Sequence, residues 1–557
     1  MAGNAQIAEI LLAIADLLEL KNERFKPEAY RRAARSILGG EEDLRVLQSQ
    51  GLLGEIPGVG DAIRKKIEEF LSSGKIEYYE QLKSQIPPGV IALMRIPGIG
   101  PKTASRFHRE LGVDGPAALL EAIGQGRLDG VAGFGSRKIE KLRHALAEAP
   151  AAPTRRLSLR EGWALAQRIV GALAGTGPLD QVEVAGSLRR RRETVGDLDI
   201  LVTSENPVDT IARFAGLPAV REVLLQGDTK CTVIVEPGVQ VDLRVVPTES
   251  FGAALQYFTG SKDHNVRLRT WAKDHGLKIN EYGVYRDEVR VAGRSELEVY
   301  GSLGLPLMPP EIRENQGELD AAIAGKVPPL VAPEELRGEL HRHLDPGERD
   351  AALPALMAEA AARRFEYVGV VLSARSEGAE PSEAIRKLRA LWKAGAGPGS
   401  PRLLIGWEAA IGPATPRWIL PNGADFGVLD PARPSSVPPQ SPDAGPPSER
   451  PWFVGHLSLS SAPTESVADA AAPWIQWAAR AGVALEITSE AGENGLDGRS
   501  ARRAVDAGVA IVISAGAGPG GSFEGLDLAI GLARRGWVPR DRVLNATVGL
   551  GLRPERR

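Results

Sequence analysis

At 557 residues the chain is too long for one hydrophobic core, since cores stop growing at roughly 250–300 residues, so about three or four domains are expected. Its 43% hydrophobic and 25% charged residues are ordinary for a soluble globular protein, no apolar run approaches the roughly 20 residues that span a bilayer, and a single cysteine, Cys231, excludes intramolecular disulfides and cysteine-rich zinc sites. A formal net charge of −3 excludes binding a polyanion through overall charge, so any nucleic-acid contact must be local.

Residues Met1 to Leu20 mix acidic with apolar side chains and lack a basic start, which predicts an amphipathic helix rather than a signal peptide, and a chain that stays in the cytoplasm. Helical periodicity broken by Gly-rich turns continues to about residue 150. Two segments recur within it, Ile56-Pro57-Gly58-Val59-Gly60 and Ile96-Pro97-Gly98-Ile99-Gly100, with a weaker copy at Val131-Ala132-Gly133-Phe134-Gly135. The pattern resembles the helix-hairpin-helix motif, whose glycines let a tight turn bring backbone N–H groups up to a DNA phosphate. Lys65, Lys66, Lys102, Arg137 and Lys138 just downstream favour this over ordinary glycine-capped turns. Such contacts position DNA without reading its sequence.

Pro150 to Thr154 predicts a linker, and the β-type runs Val182–Val184, Leu198–Val202, Cys231–Val235 and Val239–Val246 open an α/β domain beyond it. Its most informative stretch is Gly186-Ser187-Leu188-Arg189-Arg190-Arg191-Arg192, followed by Val195-Gly196-Asp197-Leu198-Asp199. Alternation along a strand puts Asp197 and Asp199 on one face, a platform of hard oxygen ligands suited to Mg²⁺. An in-line phosphoryl displacement is served by two ions and needs a third carboxylate, which Asp242 supplies from the next strand-like run. An Asp-x-Asp alone is usually a surface pair. Here Gly186 and Ser187 lie upstream, where glycine permits close backbone approach and the hydroxyl can bind a triphosphate, and Arg190 can add charge-assisted bonds to the same phosphates.

Next come Tyr257-Phe258-Thr259-Gly260-Ser261, then Lys262 to Arg269, and Lys278-Ile279-Asn280-Glu281-Tyr282-Gly283. The order Gly-Ser, Asp-x-Asp, later Asp resembles the nucleotidyltransferase superfamily, and these added stretches resemble the thumb of the family X DNA polymerases, whose motif order residues 1 to about 316 follow. The resemblance implies a bacterial DNA-directed DNA polymerase that fills short gaps in DNA repair, base excision repair included, by two-metal transfer from dNTPs to a primer 3′-OH. It implies that Gly186, Ser187, Arg190 and Gly260 serve the nucleotide, that Tyr257 and Phe258 lie beside the incoming sugar, that Asn265 meets the base edge and that Arg269 touches the template. Val195 stands where a phosphate-binding Ser is usual, and Gln240 where an Arg neighbours the third aspartate, which bears on efficiency rather than reaction type. The N-terminal region resembles the family's lyase domain, with Lys26, Tyr30 and Arg31 near a 5′-phosphate pocket and Lys66 matching the Schiff-base lysine, its pKa to be lowered by the adjoining Arg64 and Lys65. The alternative for Arg64 to Lys66 is the basic face of a DNA-binding helix.

Breaks at Leu305–Pro310 and 328–330 predict a separate C-terminal half of alternating strands and helices, with an irregular excursion at 412–451. From about 334 it resembles the PHP domain, an α/β barrel that binds metals for nuclease activity in bacterial relatives. His341 and His343 keep the His-x-His pair and Glu408 matches a third ligand position. Elsewhere the pattern fails: Leu372-Ser373 replaces Asp-His, Gly516-Ala517-Gly518 replaces Asp-x-His, and Ala410 replaces an aspartate. His456 lies near a ligand position, which an ungapped match assigns to Ser458. The expectation is a retained scaffold with a vestigial metal site and no 3′–5′ exonuclease.

The fold class expected is therefore multidomain α+β and α/β: a helical helix-hairpin-helix region (a lyase-like part, 1–85, and a fingers-like part, 86–152), a nucleotidyltransferase palm (153–250), a thumb (251–316), a linker (317–333) and a PHP-like α/β barrel (334–557). The partners expected are gapped or nicked DNA, dNTPs and Mg²⁺, with Mn²⁺ as a substitute, acting on a monomer away from membranes. Two alternatives stay open: a DNA-end-binding repair scaffold with weak or no polymerase activity, and a nucleotidyltransferase that extends DNA ends.

Overall fold

The computed structural model describes residues 2–21, 23, 26–39, 44–73, 75–94, 96, 99–128, 131, 134–135, 139, 142–143, 156–344, 346–373, 381–411, 420–431, 438, 451–455, 457, 467–490, 495–516 and 523–547. The chain divides into two compact units, residues 1–153 and 154–557.

The first unit is helical. Its opening helix, α1 (Ala2–Leu20), buries Ile7, Leu11, Ile14 and Leu18, spaced three and four apart as one helical face requires. Tyr30, Ala33, Ala34 and Ile37 of α2 (Lys26–Gly39) join the same core. Further on lie α3 (Asp61–Ser73) and α4 (Pro101–Leu111), each entered through a glycine of the repeated segment.

In the second unit, α5 (Leu159–Gly175) starts from a capping box: Ser158 Oγ accepts from the Glu161 N–H, and the Glu161 carboxylate accepts from the Ser158 N–H at 2.9 Å. It covers a five-stranded sheet of β1 (Gln181–Val184), β2 (Asp197–Thr203), β3 (Val220–Gln226), β4 (Lys230–Val235) and β5 (Val239–Val245), in spatial order β1-β2-β5-β4-β3. Only β2 and β5 run parallel, and that pair carries the acidic residues. Strand β3 was not foreseen: it is an edge strand with a bulged register and mostly exposed residues, so its sequence lacks clean alternation. Helices α6 (Phe251–Thr259) and α7 (Lys262–Asp274) follow, with a small antiparallel sheet of β6 (Lys278–Asn280), β7 (Gly283–Arg286) and β8 (Val289–Ala292).

Seven parallel strands come next in strict chain order: β9 (Gly338–His343), β10 (Tyr367–Ser373), β11 (Arg402–Ile411), β12 (Phe426–Pro431), β13 (Trp452–Val454), β14 (Ala484–Ile487) and β15 (Ile511–Ile513). The sheet curls nearly closed, for the Ala515 N–H just past β15 reaches the Glu339 carboxylate in β9 at 3.4 Å. Leu340, Val371, Leu404, Phe426, Val428, Phe453, Ala484 and Val512 fill its interior, and the helices cover its outside.

Two expectations are corrected here. Residues 412–451 are not one irregular excursion, because Phe426–Pro431 is an inner strand whose short apolar run Phe426-Gly427-Val428-Leu429 was hidden by flanking Pro and Ser. Nor does 328–330 free the C-terminal half. The Val331 N–H bonds to the Val538 carbonyl at 3.2 Å, and everything from 154 onward packs as one unit, with α8 (Leu526–Arg535) set against the five-stranded half.

Candidate active site

Strands β2 and β5 run side by side with Asp199 opposite Asp242 and Asp197 opposite Gln240, so the three aspartates share one face of the sheet. Gly186 explains how the platform is packed. Its φ is +62°, and a Cβ there would meet Asp199 Oδ2 at 2.3 Å, so glycine is needed for the carboxylate itself as much as for any phosphate. Burial first, then Asp197 and Asp242, pushes the Asp199 carboxyl up to about 7, while Asp197 is raised by its setting and then by Asp242. Asp242 is held by three neighbours: Thr232 Oγ1 donates to it at 2.6 Å, Gln240 Nε2 at 2.7 Å, and Lys230 Nζ lies 3.5 Å away. Three crowded carboxylates, two of them made harder to ionise by their surroundings, form a donor set that a hard divalent cation would relieve.

Beside them lies a cleft of about 460 Å³ lined by Arg156, Ser187, Arg190, Arg192, Gly196, Asp197 and Gln240. Sequence reasoning missed Arg156, 41 positions before Asp197, because nothing local marks it; its guanidinium bonds the Thr194 hydroxyl at 3.0 Å and carbonyl at 2.8 Å. Val195 faces the other way, fully buried at the place where a Cβ on Gly162 would strike it at 2.6 Å, so the missing serine hydroxyl is replaced by core packing. Gln240 keeps a hydrogen bond to the third aspartate, so contact there survives the loss of arginine. Arg190 Nη1 donates to the Thr259 carbonyl at 2.5 Å and Nε to Glu314 at 3.0 Å, and Gly260 (φ +65°) leaves room for that guanidinium.

Tyr257 and Phe258 end α6 edge to face, with the Arg244 guanidinium 4.3 Å from the Phe258 ring centre. Asn265 does not present a free amide. It is buried, donates to the Tyr257 carbonyl at 2.7 Å and accepts from Gln256 at 2.8 Å, so contact with a base edge would require exchanging these bonds. Arg269 Nε bonds the Asn265 carbonyl at 3.2 Å.

In the first unit the three repeated segments share one hydrogen-bond pattern. The third apolar residue closes a turn onto the first (Val59 to Ile56, Ile99 to Ile96, Phe134 to Val131, 2.9–3.0 Å), and the last glycine's carbonyl accepts from the N–H four residues on (Arg64, Ala104, Ile139, 2.9–3.0 Å). Gly58 needs its φ of +88°, while Gly60 and Gly100 face open space. Gly98, Gly133, Arg137 and Lys138 lie outside the described residues. Lys66 lies 4.6 Å from the Tyr78 ring centre with its pKa lowered, and the cause corrects the expectation: burial lowers it, whereas Arg64 is paired to Glu68 and Asp61. Tyr30 is buried, its hydroxyl pushed up to about 12 by burial and then by Tyr78; Arg31 pairs with Asp16 and Glu19, and Lys26 with Glu23. Lys26 is exposed and Lys66 half-buried.

In the barrel, His341, His343 and Glu408 offer ligand atoms all within 4.8 Å of one another. Strand β9 carries a bulge, Glu339 to Arg342 spanning three steps against two from Val368 to Val370, and beyond it both imidazoles face the interior. Their Nε2 atoms are 3.0 Å apart, and His341 Nδ1 lies 2.6 Å from Glu486, a residue not picked out from sequence although a lone Glu in an apolar strand was a signal. Burial, then Arg342, holds the His341 pKa down to about 3, so its neutral ring donates Nδ1–H to Glu486 and orients Nε2. Leu372 is in the apolar core, Ser373 is in register with Glu408, and Gly516 contributes its carbonyl to Arg342. His456, Ser458, Ala517 and Gly518 lie outside the described residues.

Residues 254–314 match the DNA polymerase beta thumb, 2–76 a helix-hairpin-helix domain, and 90–148 a SAM-like helix-hairpin-helix tandem. The chain is 37% identical over 344 residues to the DNA polymerase/3′-5′ exonuclease PolX of Bacillus subtilis (strain 168), covering 60% of this chain and 59% of that protein. It is 24% identical to the DNA polymerase lambda of Rattus norvegicus, over 56% of each chain, and 24% identical to that of Arabidopsis thaliana, over 56% of this chain and 62% of the other. The matches span about three fifths of the length of these relatives. No helix among the described residues is long and apolar enough to cross a membrane.

Proposed function

We propose, from the premise that the chain is a relative of the bacterial family X DNA polymerases, that it is a DNA-directed DNA polymerase filling short gaps during repair. The observation that carries this is the shared face of Asp197, Asp199 and Asp242 beside a cleft lined by Ser187, Arg156, Arg190 and Arg192. Asp197, Asp199 and Asp242 would hold Mg²⁺, or Mn²⁺ in its place, which supplies charge neutralisation for the attacking and leaving oxygens of an in-line displacement.

The chain's own residues do the rest. The arginines and the Ser187 hydroxyl bind the triphosphate and orient it against the aspartates, and Thr232 and Gln240 fix Asp242. Tyr257 and Phe258 take the sugar side, with Gly260 beside Arg190. The helix-hairpin-helix turns, with Gly58, Gly60, Gly98 and Gly100, hold DNA by its phosphates whatever its sequence, with Arg269 on the template side. Lys26, Tyr30 and Lys66 form the region for a 5′-phosphate at the far edge of a gap. The substrates are gapped DNA and dNTPs, the working unit is a monomer, and the setting is the cytoplasm.

Primer extension on a gapped duplex, with and without Mg²⁺, tests the proposal. Template-directed addition that requires metal is expected. Binding without addition would leave a DNA-end scaffold, and addition ignoring the template would leave an end-extending nucleotidyltransferase.

A further inference from the structure

Arg190 lines the nucleotide cleft, yet it is not free: it shares a carboxylate with a residue 345 positions away. Glu314 Oε1 accepts from Arg190 Nε at 3.0 Å and from Arg535 Nη1 at 2.7 Å, and its other oxygen lies 3.8 Å from Arg192 Nη1. Arg535, last residue of α8, also lies 3.3 Å from Glu193 and reaches the Arg190 carbonyl at 3.4 Å. Gly498 makes room for it, since a Cβ there would meet its Cγ at 2.8 Å. The Arg190, Glu314 and Arg535 side chains are only 11–12% exposed, so water screens their charges weakly. Despite its burial, which works the other way, Arg535 and Arg190 hold the Glu314 carboxyl below its ordinary value.

We propose that Arg535, in the C-terminal barrel half, is a positioning residue for the nucleotide triphosphate. It engages Glu314 and so leaves the Arg190 charge available to phosphate. Three guanidiniums, Arg190, Arg192 and Arg535, face two carboxylates, Glu314 and Glu193, leaving this cluster beside the cleft with one excess positive charge. Without Arg535 that excess vanishes and Glu314 becomes a competitor of the triphosphate for Arg190. The barrel thus acts on the nucleotide through an ion-pair relay, whether or not it hydrolyses anything. The inference rests on the polymerase reading for its substrate.

The test is single-nucleotide gap filling by the full-length chain, titrating the dNTP, with Arg535→Gln, Arg535→Lys, Glu314→Gln and the Arg535→Gln/Glu314→Gln double variant. Arg535→Gln should raise KM for the dNTP by roughly five- to twentyfold with kcat within about twofold, and Arg535→Lys should recover most of the loss. In the Glu314→Gln background the change at 535 should add less than about twofold, because the carboxylate it restrains is gone. An unchanged KM, a loss confined to kcat together with a lowered Tm, or an undiminished effect in the Glu314→Gln background would each overturn the proposal. If the wild type fails to extend primers at all, the polymerase reading fails separately. Calorimetric binding of Mg²⁺-dTTP by the same variants then decides the relay by the same ordering, and absence of binding by the wild type overturns both.

Discussion

Asp199 makes the candidate site a liability of the metal-free protein. Its folded pKa of about 7 exceeds the ordinary 3.8, so between roughly pH 4 and 7 the folded state holds a proton that the unfolded chain has released. Stability should therefore fall as pH rises through that window, by up to about 1.4 kcal/mol per unit. Asp199→Asn should flatten the dependence and raise Tm at pH 7.5 without metal, read by thermal melts across pH; a metal-free melt insensitive to pH would refute the assignment. Mg²⁺ should bind more tightly as pH rises toward 7, since it displaces that proton. Asp242→Ala should reduce nucleotide addition by more than about 100-fold, the upper figure for losses one step further from a metal, while gapped-DNA affinity stays within about twofold. Extension at the wild-type rate would remove Asp242 from the mechanism. Gly186→Ala should cost both stability and activity, because its methyl group meets Asp199 in a backbone conformation already unfavourable by roughly 1–2 kcal/mol. Strand alternation made the aspartates legible from sequence. Thr232, Arg156 and Glu314 were not, because each reaches its partner through a fold contact that no local pattern announces, whereas Glu486 was marked only by being a lone carboxylate in an apolar strand.

Among elements, the helix-hairpin-helix turns were readable because a repeat is visible without structure, and the weak third copy proves to have the hydrogen bonds of the other two. Binding to gapped DNA should fall linearly in log salt, with no preference for sequence. A 5′-phosphate at the downstream edge should tighten it, and equal affinity for phosphorylated and unphosphorylated gaps would remove Lys26 and Lys66 from that pocket. Borohydride trapping on an abasic substrate tests Lys66 chemistry separately, with an adduct lost in Lys66→Ala as the positive result. The barrel strands were harder to read. Strand β12 is short and lies amid Pro and Ser, and the β9 bulge cannot be seen in a sequence where His-x-His already suggests one face. Among the described residues only the trio His341, His343 and Glu408 groups as a candidate metal site, fewer ligands than are expected to fix both a nucleophile and a scissile phosphate. An Asp197→Ala protein with Mn²⁺ should accordingly leave a labelled single strand intact. Digestion that vanishes in His341→Ala/His343→Ala would show a complete nuclease centre instead.

At the scale of the molecule, the C-terminal half is fastened to the five-stranded half rather than tethered beside it. Arg534 bonds Glu311 at 2.9 Å, Arg160 lies 3.4 Å from Glu490, and the Arg191 side chain lies where a Cβ on Gly531 would strike it at 2.5 Å. Cutting the chain after about residue 330 should take Arg534 from Glu311 and Arg535 from Glu314 and lower the Tm of what remains by several degrees, since breaking buried pairs costs about 3–5 kcal/mol. An unchanged Tm would show the junction to be superficial. The strand order β9 to β15 is strictly sequential, and this has a consequence for synthesis on the ribosome. Each barrel strand emerges to find its neighbour already waiting, so the sheet can grow at the pace of translation. Arg535 leaves the exit tunnel only after all seven strands have done so. A nascent chain therefore completes its three aspartates some 290 residues before it acquires the cation that restrains Glu314, and termination between the two would yield a protein with its acidic platform built but its proposed grip on nucleotide unfinished.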